Sequence, residues 1–264
     1  MKLMKTKVTR LLRRAAICAA TALLLLTISS TVSAQPQPKP SPTPRRPLAK
    51  PVGGARNFDQ FAKRDASARL IAVGGTRVIV DPGDFYAKGE ANYKAGKYEA
   101  AVRDLKEAVK LSPDWEDPHY ILALSLTELG KLQEAVEEFK QVVRLAIKDE
   151  PKILSYYNMG NAYADLGQYK DAIEAYQQAI KLNSKLSKPH NNLGLAYAAS
   201  DRLADAIAEF KLAVQLRSDY AEAHYNLGVA YLQLGSKQEA AEQKDILSKL
   251  KPELAAKLDA LIKK

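Results

Sequence analysis

The stretch YNMGNAYADLG at residues 157–167 decides the fold, because two similar stretches follow it at a constant spacing of 34 residues. Residues 191–201 read NNLGLAYAASD, and residues 225–235 read YNLGVAYLQLG. A fixed period of this length is typical of proteins built from stacked supersecondary units. Extending the frame predicts five units, at residues 82–115, 116–149, 153–186, 187–220 and 221–254.

Two positions of every unit carry small residues, where positions are counted from the first residue of the unit. Position 8 holds Gly89, Ala123, Gly160, Gly194 and Gly228. Position 20 holds Ala101, Ala135, Ala172, Ala206 and Ala240. Two helices approach closely only where neither carries a bulky side chain. We therefore predict that these two columns mark the crossing point of a helix pair.

Two further positions shape the predicted pair. Position 24 holds the large residues Leu105, Phe139, Tyr176 and Phe210, which we expect to fill the gap toward the next unit. Position 15 holds Gly96, Gly130, Gly167 and Gly235, with Asp201 in unit four. A residue in the left-handed conformation often ends a helix, and glycine adopts that conformation most readily. Each unit is thus predicted to be helix, tight turn, helix.

In its repeated motif and in the spacing of that motif, the chain resembles the tetratricopeptide repeat family over residues 82–254. The resemblance implies an all-α fold, a right-handed superhelical solenoid of five helix-turn-helix repeats that is stabilised by the stacking of neighbouring units. It also implies that the first helix of each unit lines a concave groove. The usual role of that groove in the family is to bind a peptide or a partner protein.

The end of the array departs from the repeat pattern. Lys244 occupies position 24 of unit five, where the earlier units carry large apolar or aromatic residues. Residues 255–264 are predicted to form a C-terminal capping helix that closes the solenoid. Its apolar face is expected to consist of Leu254, Leu258 and Leu261, which recur at helical spacing.

The groove-facing positions of the family indicate where a ligand would bind. Asparagine occupies position 6 in three successive units and position 9 in unit three, and tyrosine occupies position 5 in units three and five. The candidate groove residues are Tyr157, Asn158, Asn161, Asn192, Tyr225 and Asn226. Asparagine offers both a donor and an acceptor, so we expect this ladder to face solvent and to hold the backbone of an extended peptide. The alternative is that asparagine is simply common at this position in such repeats.

The charges at the groove-facing positions refine the expected ligand. The carboxylate clamp of chaperone-binding family members is not expected, because Tyr157, Glu222 and Asn226 stand where its cations are required. Acids outnumber bases in the groove, with Glu90, Asp117, Glu128, Asp165 and Glu222 against Lys94 and Lys188. A mildly basic ligand is therefore favoured.

No sequence feature supports catalysis, a cofactor or a metal site. The chain has no phosphate-binding loop, no HExxH, no GxSxG and no dinucleotide fingerprint. His119, His190 and His224 all fall at position 4, which holds Phe85 or Tyr156 in other units, so we predict that they are packing residues. The single cysteine, Cys18, lies in an N-terminal apolar stretch. We therefore expect a protein that is not an enzyme.

The net charge of +10 comes from the N-terminal third of the chain. Residues 82–264 contain 25 basic and 27 acidic residues, so the repeat region is close to neutral. A broad basic surface for a phosphate backbone is absent from that region of the sequence, and no nucleic-acid partner is expected.

Residues 1–34 are predicted to be a secretory signal peptide. Six Lys or Arg residues precede an apolar run, and the small residues Val32-Ser33-Ala34 follow it. The alternative is an uncleaved membrane anchor, because Ala15 to Ala34 contains no charge and is about as long as a bilayer requires. Residues 35–52 are predicted to be a proline-rich linker in an extended conformation.

Residues 53–81 are an uncertain segment with a candidate β-hairpin. Arg69 to Val73 and Thr76 to Val80 are two β-favouring runs that are joined by Gly74-Gly75. A lone hairpin is marginally stable in water, so it is expected either to dock on the helices or to pair with a partner's sheet edge. The sequence leaves both alternatives open.

Two functional hypotheses follow from these features. The first is an exported, non-enzymatic adaptor in the periplasm or cell envelope of a bacterium, or secreted, that binds a protein or extended peptide in its groove. The alternative is a membrane-tethered assembly factor of an envelope complex, with an uncleaved N-terminal anchor and contacts through the convex surface. A membrane contact is expected only in the second case.

The first prediction concerns processing of the N-terminus. If the signal peptide is removed after Ala34, the protein isolated from its native compartment begins at Gln35. Intact-mass measurement of that material checks the boundary. An intact Met1 in the membrane fraction would instead support the tethered alternative.

Overall fold

The computed structural model describes residues 69–73 and 76–263. The predicted signal peptide at 1–34, the linker at 35–52 and much of the segment at 53–81 lie outside these residues. Strands β1 (Arg69–Val73) and β2 (Thr76–Val80) form an antiparallel pair with Arg69 opposite Val80. They coincide with the two runs for which the sequence predicts a hairpin.

The described part of the chain contains eleven helices, and the first ten form five consecutive pairs. The helices are α1 (Pro82–Lys94), α2 (Tyr98–Leu111), α3 (Glu116–Glu128), α4 (Leu132–Leu145), α5 (Asp149–Asp165), α6 (Tyr169–Leu182), α7 (Ser187–Ala199), α8 (Leu203–Leu216), α9 (Ala221–Gln233), α10 (Lys237–Leu250) and α11 (Pro252–Ile262). The odd-numbered helices α1 to α9 are the first helices of the units, and α2 to α10 are the second helices. None of the eleven is both long enough and apolar enough to span a bilayer.

The turn between the two helices of a unit is built around one left-handed residue, as predicted for position 15. Gly96 has φ of 74°, and Asp201 has φ of 57°. After α1, the Gly96 amide donates to the carbonyl of Tyr93 and the Lys97 amide donates to that of Asn92. This pair of hydrogen bonds defines a Schellman motif, which satisfies carbonyls at the end of the helix.

The two helices of a unit cross at the predicted small residues, and the side chain at position 24 covers the crossing. A Cβ atom added to Gly194 would lie 2.7 Å from Cε1 of Phe210, and one added to Gly89 would lie 2.5 Å from Cγ of Leu105. The alanines of position 20 are fully buried in all five units. Because no space remains at the crossing, these columns fix how closely the two helices pack.

Three residues inserted between units two and three lengthen one helix. Residues 150–152 fall in the first turn of α5, which has 17 residues, whereas the other first helices have 13. On the same helix, Tyr156 and Tyr163 pack against the apolar clusters on both sides of it. The core therefore continues from the first three units into the last three.

Helix α11 completes unit five with a residue from outside the repeat. Leu258 is fully buried and would lie 2.5 Å from a Cβ atom added to Gly228, so it fills the space that position 24 fills elsewhere. The predicted apolar face was wrong at Leu261, which is 37% exposed. Ala255 and Ile262 pack inward instead, because the helix turns Leu258 toward Gly228.

Two leucines of α11 provide a matched test of this packing. Leu258→Ala should destabilise the protein by about 2 to 5 kcal/mol, because it removes a fully buried side chain and leaves a cavity over Gly228. Leu261→Ala should cost much less, about 1 kcal/mol or below, since more than a third of Leu261 is exposed and its loss leaves no enclosed cavity. Urea denaturation measures both, and equal losses would contradict the described orientation of α11.

Candidate peptide-binding groove

The six candidate groove residues lie on α5, α7 and α9, the first helices of units three to five. Asn158, Asn192 and Asn226 are at position 6 and point toward the preceding unit. Tyr157 and Tyr225 are at position 5. The structure brings Tyr157, Asn161 and Asn192 into direct contact and connects Asn226 to them through Asn191, a residue that the sequence analysis did not select.

The asparagines of position 6 form a series of hydrogen bonds between neighbouring units, which we call the inter-unit ladder. Asn158 Nδ2 donates to the Tyr120 hydroxyl at 3.5 Å, and Asn192 Nδ2 donates to the Tyr157 hydroxyl at 3.1 Å. Asn226 Nδ2 donates to Asn191 Oδ1 at 2.9 Å. Each acceptor is the position 5 residue of the preceding unit, so the same pair of positions connects three successive junctions.

The expectation that the asparagines face solvent is wrong. Asn158 is 1% exposed, Asn161 4% and Asn192 5%, while Asn226 is half-buried. Tyr157 is also buried, and Tyr225 is half-buried. Close packing of successive first helices places these amides between units, where a polar group is stable only if it is hydrogen-bonded.

Asn161 links the ladder to the interior of unit three. Its Oδ1 accepts from the Tyr176 hydroxyl at 2.8 Å and from Asn192 Nδ2 at 2.9 Å. Unit three is the one unit with a tyrosine at position 24 and also the one unit with an asparagine at position 9. The buried hydroxyl and the amide therefore occur together, because each satisfies the other.

The amides are arranged with a common polarity. Asn226 donates to Asn191, Asn191 donates to Asn192 at 3.1 Å, and Asn192 donates to Asn161. A chain of this kind strengthens its members, because each bond polarises the next. The series of hydrogen bonds also fixes the orientation of the Asn161 amide. Its oxygen accepts two hydrogen bonds, and its nitrogen takes no part in the series.

Three buried side-chain polar atoms on α5 lack a hydrogen-bond partner among the described residues. They are Ser155 Oγ, Asn158 Oδ1, which is an acceptor, and Asn161 Nδ2, which is a donor. Residues three apart are neighbours on one helix face, so the two asparagine atoms lie on the same side of α5. Leaving such atoms unpaired costs about 1 to 3 kcal/mol each, which makes them the strongest candidate ligand contacts.

The charges predicted in the groove are partly neutralised within the protein. Lys94 Nζ lies 2.8 Å from Glu90 Oε1, and Lys251 Nζ lies 2.8 Å from Glu222 Oε1. The hydrogen bond from Lys251 lowers the pKa of Glu222, although partial burial opposes this shift. Trp115 Nε1 donates to Asp117 at 3.1 Å. Lys94 is already part of the sequence count whereas Lys251 is not, so the acidic excess is smaller than that count by one charge.

The three histidines at position 4 are buried, which confirms the predicted packing role. The sequence analysis missed that each ring is also hydrogen-bonded to position 23 of its own unit. The signal was available, because units two, four and five combine a histidine at position 4 with Glu138, Glu209 or Gln243 at position 23. Within residues 76–263, no group of three or more His, Cys, Asp or Glu side chains is arranged to hold a metal ion.

Family models and solved structures identify the class of protein that this repeated geometry defines. A tetratricopeptide repeat model matches residues 86–150, and a TPR repeat model matches residues 160–201 and 197–235. The chain belongs to the tetratricopeptide repeat family, and its solenoid fold, predicted from the repeats, is confirmed. No curated protein matches the sequence.

Solved structures with the same fold include MamA and YrrB. The MamA chain from Desulfovibrio magneticus RS-1, which runs from residue 41 to its end, is 24% identical, with a TM-score of 0.61 over 65% of this chain and 96% of that chain. YrrB, described as a TPR protein with an unusual peptide-binding site, is 21% identical, with a TM-score of 0.58 over 67% of this chain and 90% of YrrB. At these identities the similarity establishes the fold alone.

A double-mutant cycle tests the bond between Tyr176 and Asn161. Tyr176→Phe should cost about 0.5 to 1.5 kcal/mol of unfolding free energy. Asn161→Leu should cost more, because it removes the acceptor of two buried hydrogen bonds, one from the Tyr176 hydroxyl and one from Asn192 Nδ2. The double variant recreates the Phe and Leu pair that units two and four already carry at these positions. Its loss should be smaller than the sum of the single losses by about 0.5 kcal/mol or more. Strictly additive losses in urea denaturation would show that the two side chains are not coupled.

Proposed function

We propose that the protein is an exported, non-enzymatic adaptor that binds a protein or an extended peptide along its first helices. Membership of the tetratricopeptide repeat family supports an interaction role, and YrrB is an example of the same fold with a peptide-binding site. The single observation that carries the proposal is the pair of partnerless amide atoms on α5, Asn158 Oδ1 and Asn161 Nδ2.

The two atoms complement the backbone N–H and C=O of one residue in an extended ligand, because these two groups point to the same side of a strand. A backbone N–H can donate to Asn158 Oδ1, and a backbone C=O can accept from Asn161 Nδ2. Such contacts are independent of the ligand's side chains, so they suit a partner that is held in an extended conformation. Both atoms are covered in the free protein, and a ligand therefore reaches them only when neighbouring side chains move aside.

The first contact is expected at the half-buried residues of unit five. Tyr225 and Asn226 remain partly accessible, and Glu222 beside them is exposed. Asn226 is the terminal donor of the amide chain that leads to Asn161. A ligand that binds Asn226 would thus be connected to the atoms on α5 through hydrogen bonds that already exist. The remaining acidic residues of the groove favour a mildly basic ligand.

Export is part of the proposal and depends on the sequence of residues 1–34. Cleavage before Gln35 would release the adaptor into the periplasm or envelope, or out of the cell. The linker at 35–52 would then separate the repeats from the new N-terminus.

A second candidate function is a membrane-tethered assembly factor that uses its convex surface. It is motivated by leucines and an isoleucine that are 36 to 40% exposed on the second helices of units three to five. They are Leu182, Leu212, Leu216, Ile246 and Leu250. Several of them recur at the same positions of successive units, so an apolar stripe would run along the second helices.

Affinity purification with two matched variants distinguishes the two candidates. The groove variant is Tyr225→Ala with Asn226→Ala, and the convex variant is Leu212→Ser with Leu216→Ser. Each variant and the wild-type protein are produced in the native host and purified from the exported fraction. Co-purifying proteins are identified by mass spectrometry. The affinity for the main partner is then measured with purified components. Thermal midpoints of the free variants control for folding.

If the adaptor proposal is correct, the groove variant should bind its partner at least about tenfold more weakly, because it lacks the two side chains of the expected first contact. A tenfold loss of affinity corresponds to about 1.4 kcal/mol of binding free energy. The convex variant should bind as the wild-type protein does. The reverse result, with binding lost only in the convex variant, would replace the groove by the second helices as the contact surface.

A further inference from the structure

Three units contain the same hydrogen-bonded histidine, which we call the histidine latch. Its ring nitrogens connect position 23 on the second helix of its own unit with a backbone carbonyl in the connection from the preceding unit. In the latch of unit four, His190 Nδ1 lies 2.6 Å from Glu209 Oε2, and Nε2 lies 3.1 Å from the Ser184 carbonyl oxygen. The ring therefore ties together α7, α8 and the segment that follows α6.

The latch of unit two has the same geometry. His119 Nδ1 lies 2.6 Å from Glu138 Oε2, and Nε2 lies 3.0 Å from the Pro113 carbonyl oxygen. Both rings are buried, with 6% or 7% of the side chain exposed. Two of the four junctions between units thus depend on the same three groups.

The number of protons follows from the chemistry of these partners. A backbone carbonyl and an ionised carboxylate can only accept hydrogen bonds. Both ring nitrogens must therefore donate, and a neutral imidazole has only one N–H. A neutral histidine beside an ionised glutamate has one N–H for two acceptors. The two short contacts therefore require one further proton.

The latch of unit five has a glutamine amide at position 23 instead of a carboxylate. His224 Nδ1 lies 2.8 Å from Gln243 Oε1, and Nε2 lies 3.0 Å from the Ser218 carbonyl oxygen. A glutamine amide can rotate to present its NH2 group, so that a neutral ring accepts at Nδ1 and donates at Nε2. This latch keeps both hydrogen bonds without an added proton.

The charged environment of His190 is simple. Glu209 from α8 is the charged group that acts on the ring, while the connection after α6 contributes the uncharged carbonyl of Ser184. Burial acts to lower the pKa of His190, but the hydrogen bonds to Glu209 and Ser184 outweigh it, and the net shift raises the pKa above its ordinary value.

We propose that the latch of unit four makes the solenoid sensitive to pH, because the junction at His190 is held by a proton that leaves as the pH rises. In the latch of unit five, glutamine replaces the carboxylate, so both hydrogen bonds can form without the added proton. The inference depends on the described geometry and is independent of the proposed adaptor role.

The direction of the effect follows from proton linkage. His190 binds its proton more tightly in the folded protein than in the unfolded chain, so its stabilising contribution is fully present below about pH 6.5, the unfolded value. The contribution is lost as the pH rises through the folded pKa. Deprotonation leaves either Glu209 or the Ser184 carbonyl without its donor, at the same junction that Asn192 and Tyr157 bridge.

Ring NMR of the full chain tests the proposal. The described residues contain three histidines, and the ¹⁵N shifts of Nδ1 and Nε2 report directly whether each ring carries one proton or two. Spectra of the wild-type protein are recorded between about pH 5.5 and pH 9 and compared with those of Glu209→Gln and Gln243→Glu. Glu209→Gln converts a carboxylate latch to the glutamine form, and Gln243→Glu is the converse substitution in unit five.

We expect His190 to be doubly protonated at pH 6.5 and to titrate above that value. Glu209→Gln should lower its midpoint by about 1 pH unit or more, because the opposite charge is removed. Gln243→Glu should raise the midpoint of His224 by a similar amount and give unit five a new pH-dependent loss of thermal stability.

Two results would overturn the proposal. The first is a singly protonated His190 ring at pH 6.5 in the folded wild-type protein. The second is a His224 midpoint that Gln243→Glu leaves unchanged. Because Gln243→Glu converts the glutamine latch of unit five to the carboxylate form, this second result decides the matter even if Glu209→Gln fails to fold.

Discussion

The close crossing of two helices over a small residue is the constraint on which the rest of this structure depends. The position 8 glycine has no room for a side chain beneath Leu105, Tyr176 or Phe210, and Leu258 of α11 fills the same space in unit five. Because this packing repeats with the units, it sets where each first helix lies against the next. The inter-unit ladder and the histidine latches are both consequences, since they use positions 4, 5 and 6 of helices that are already held together.

The junctions between units are not equivalent, although the repeats look alike in sequence. The junction between units three and four has a ladder bond at 3.1 Å and the His190 latch. The junction between units two and three has a ladder bond of 3.5 Å and a tyrosine, Tyr156, in place of the latch histidine. It is also the junction at which residues 150–152 are inserted, so the two halves of the array are joined where these polar contacts are weakest.

Periodicity in the sequence was sufficient to predict the helix pairs, their left-handed turns and the alanine column. These features are local or depend on one pair of helices, and a period of 34 residues records them directly. The burial of Asn158 and Asn192 was not predicted, because their partners in the preceding unit are 31 to 38 residues away. The position of a residue within the repeat indicates the helix face on which its side chain lies. It does not indicate how close the neighbouring helix is.

Leu258 illustrates a second limit. It replaces Lys244 at the crossing of unit five from outside the repeat, so no alignment of units to one another could have identified it. The histidine latches, in contrast, were within reach of the sequence, since the three units with a histidine at position 4 all carry Glu or Gln at position 23. Residue pairs inside one unit can be found by comparing units, whereas pairs between a unit and its cap cannot.

The central claim is that the asparagines of the groove are already hydrogen-bonded to each other in the free protein. Hydrogen exchange of the side-chain NH2 groups, measured by NMR on the free full-length chain, tests it most directly. The account predicts that the Asn192 amide exchanges far more slowly than the exposed amides of Gln178 and Gln238, because its protons bond to Tyr157 and Asn161. Exchange of Asn192 as fast as that of these two glutamines would contradict it.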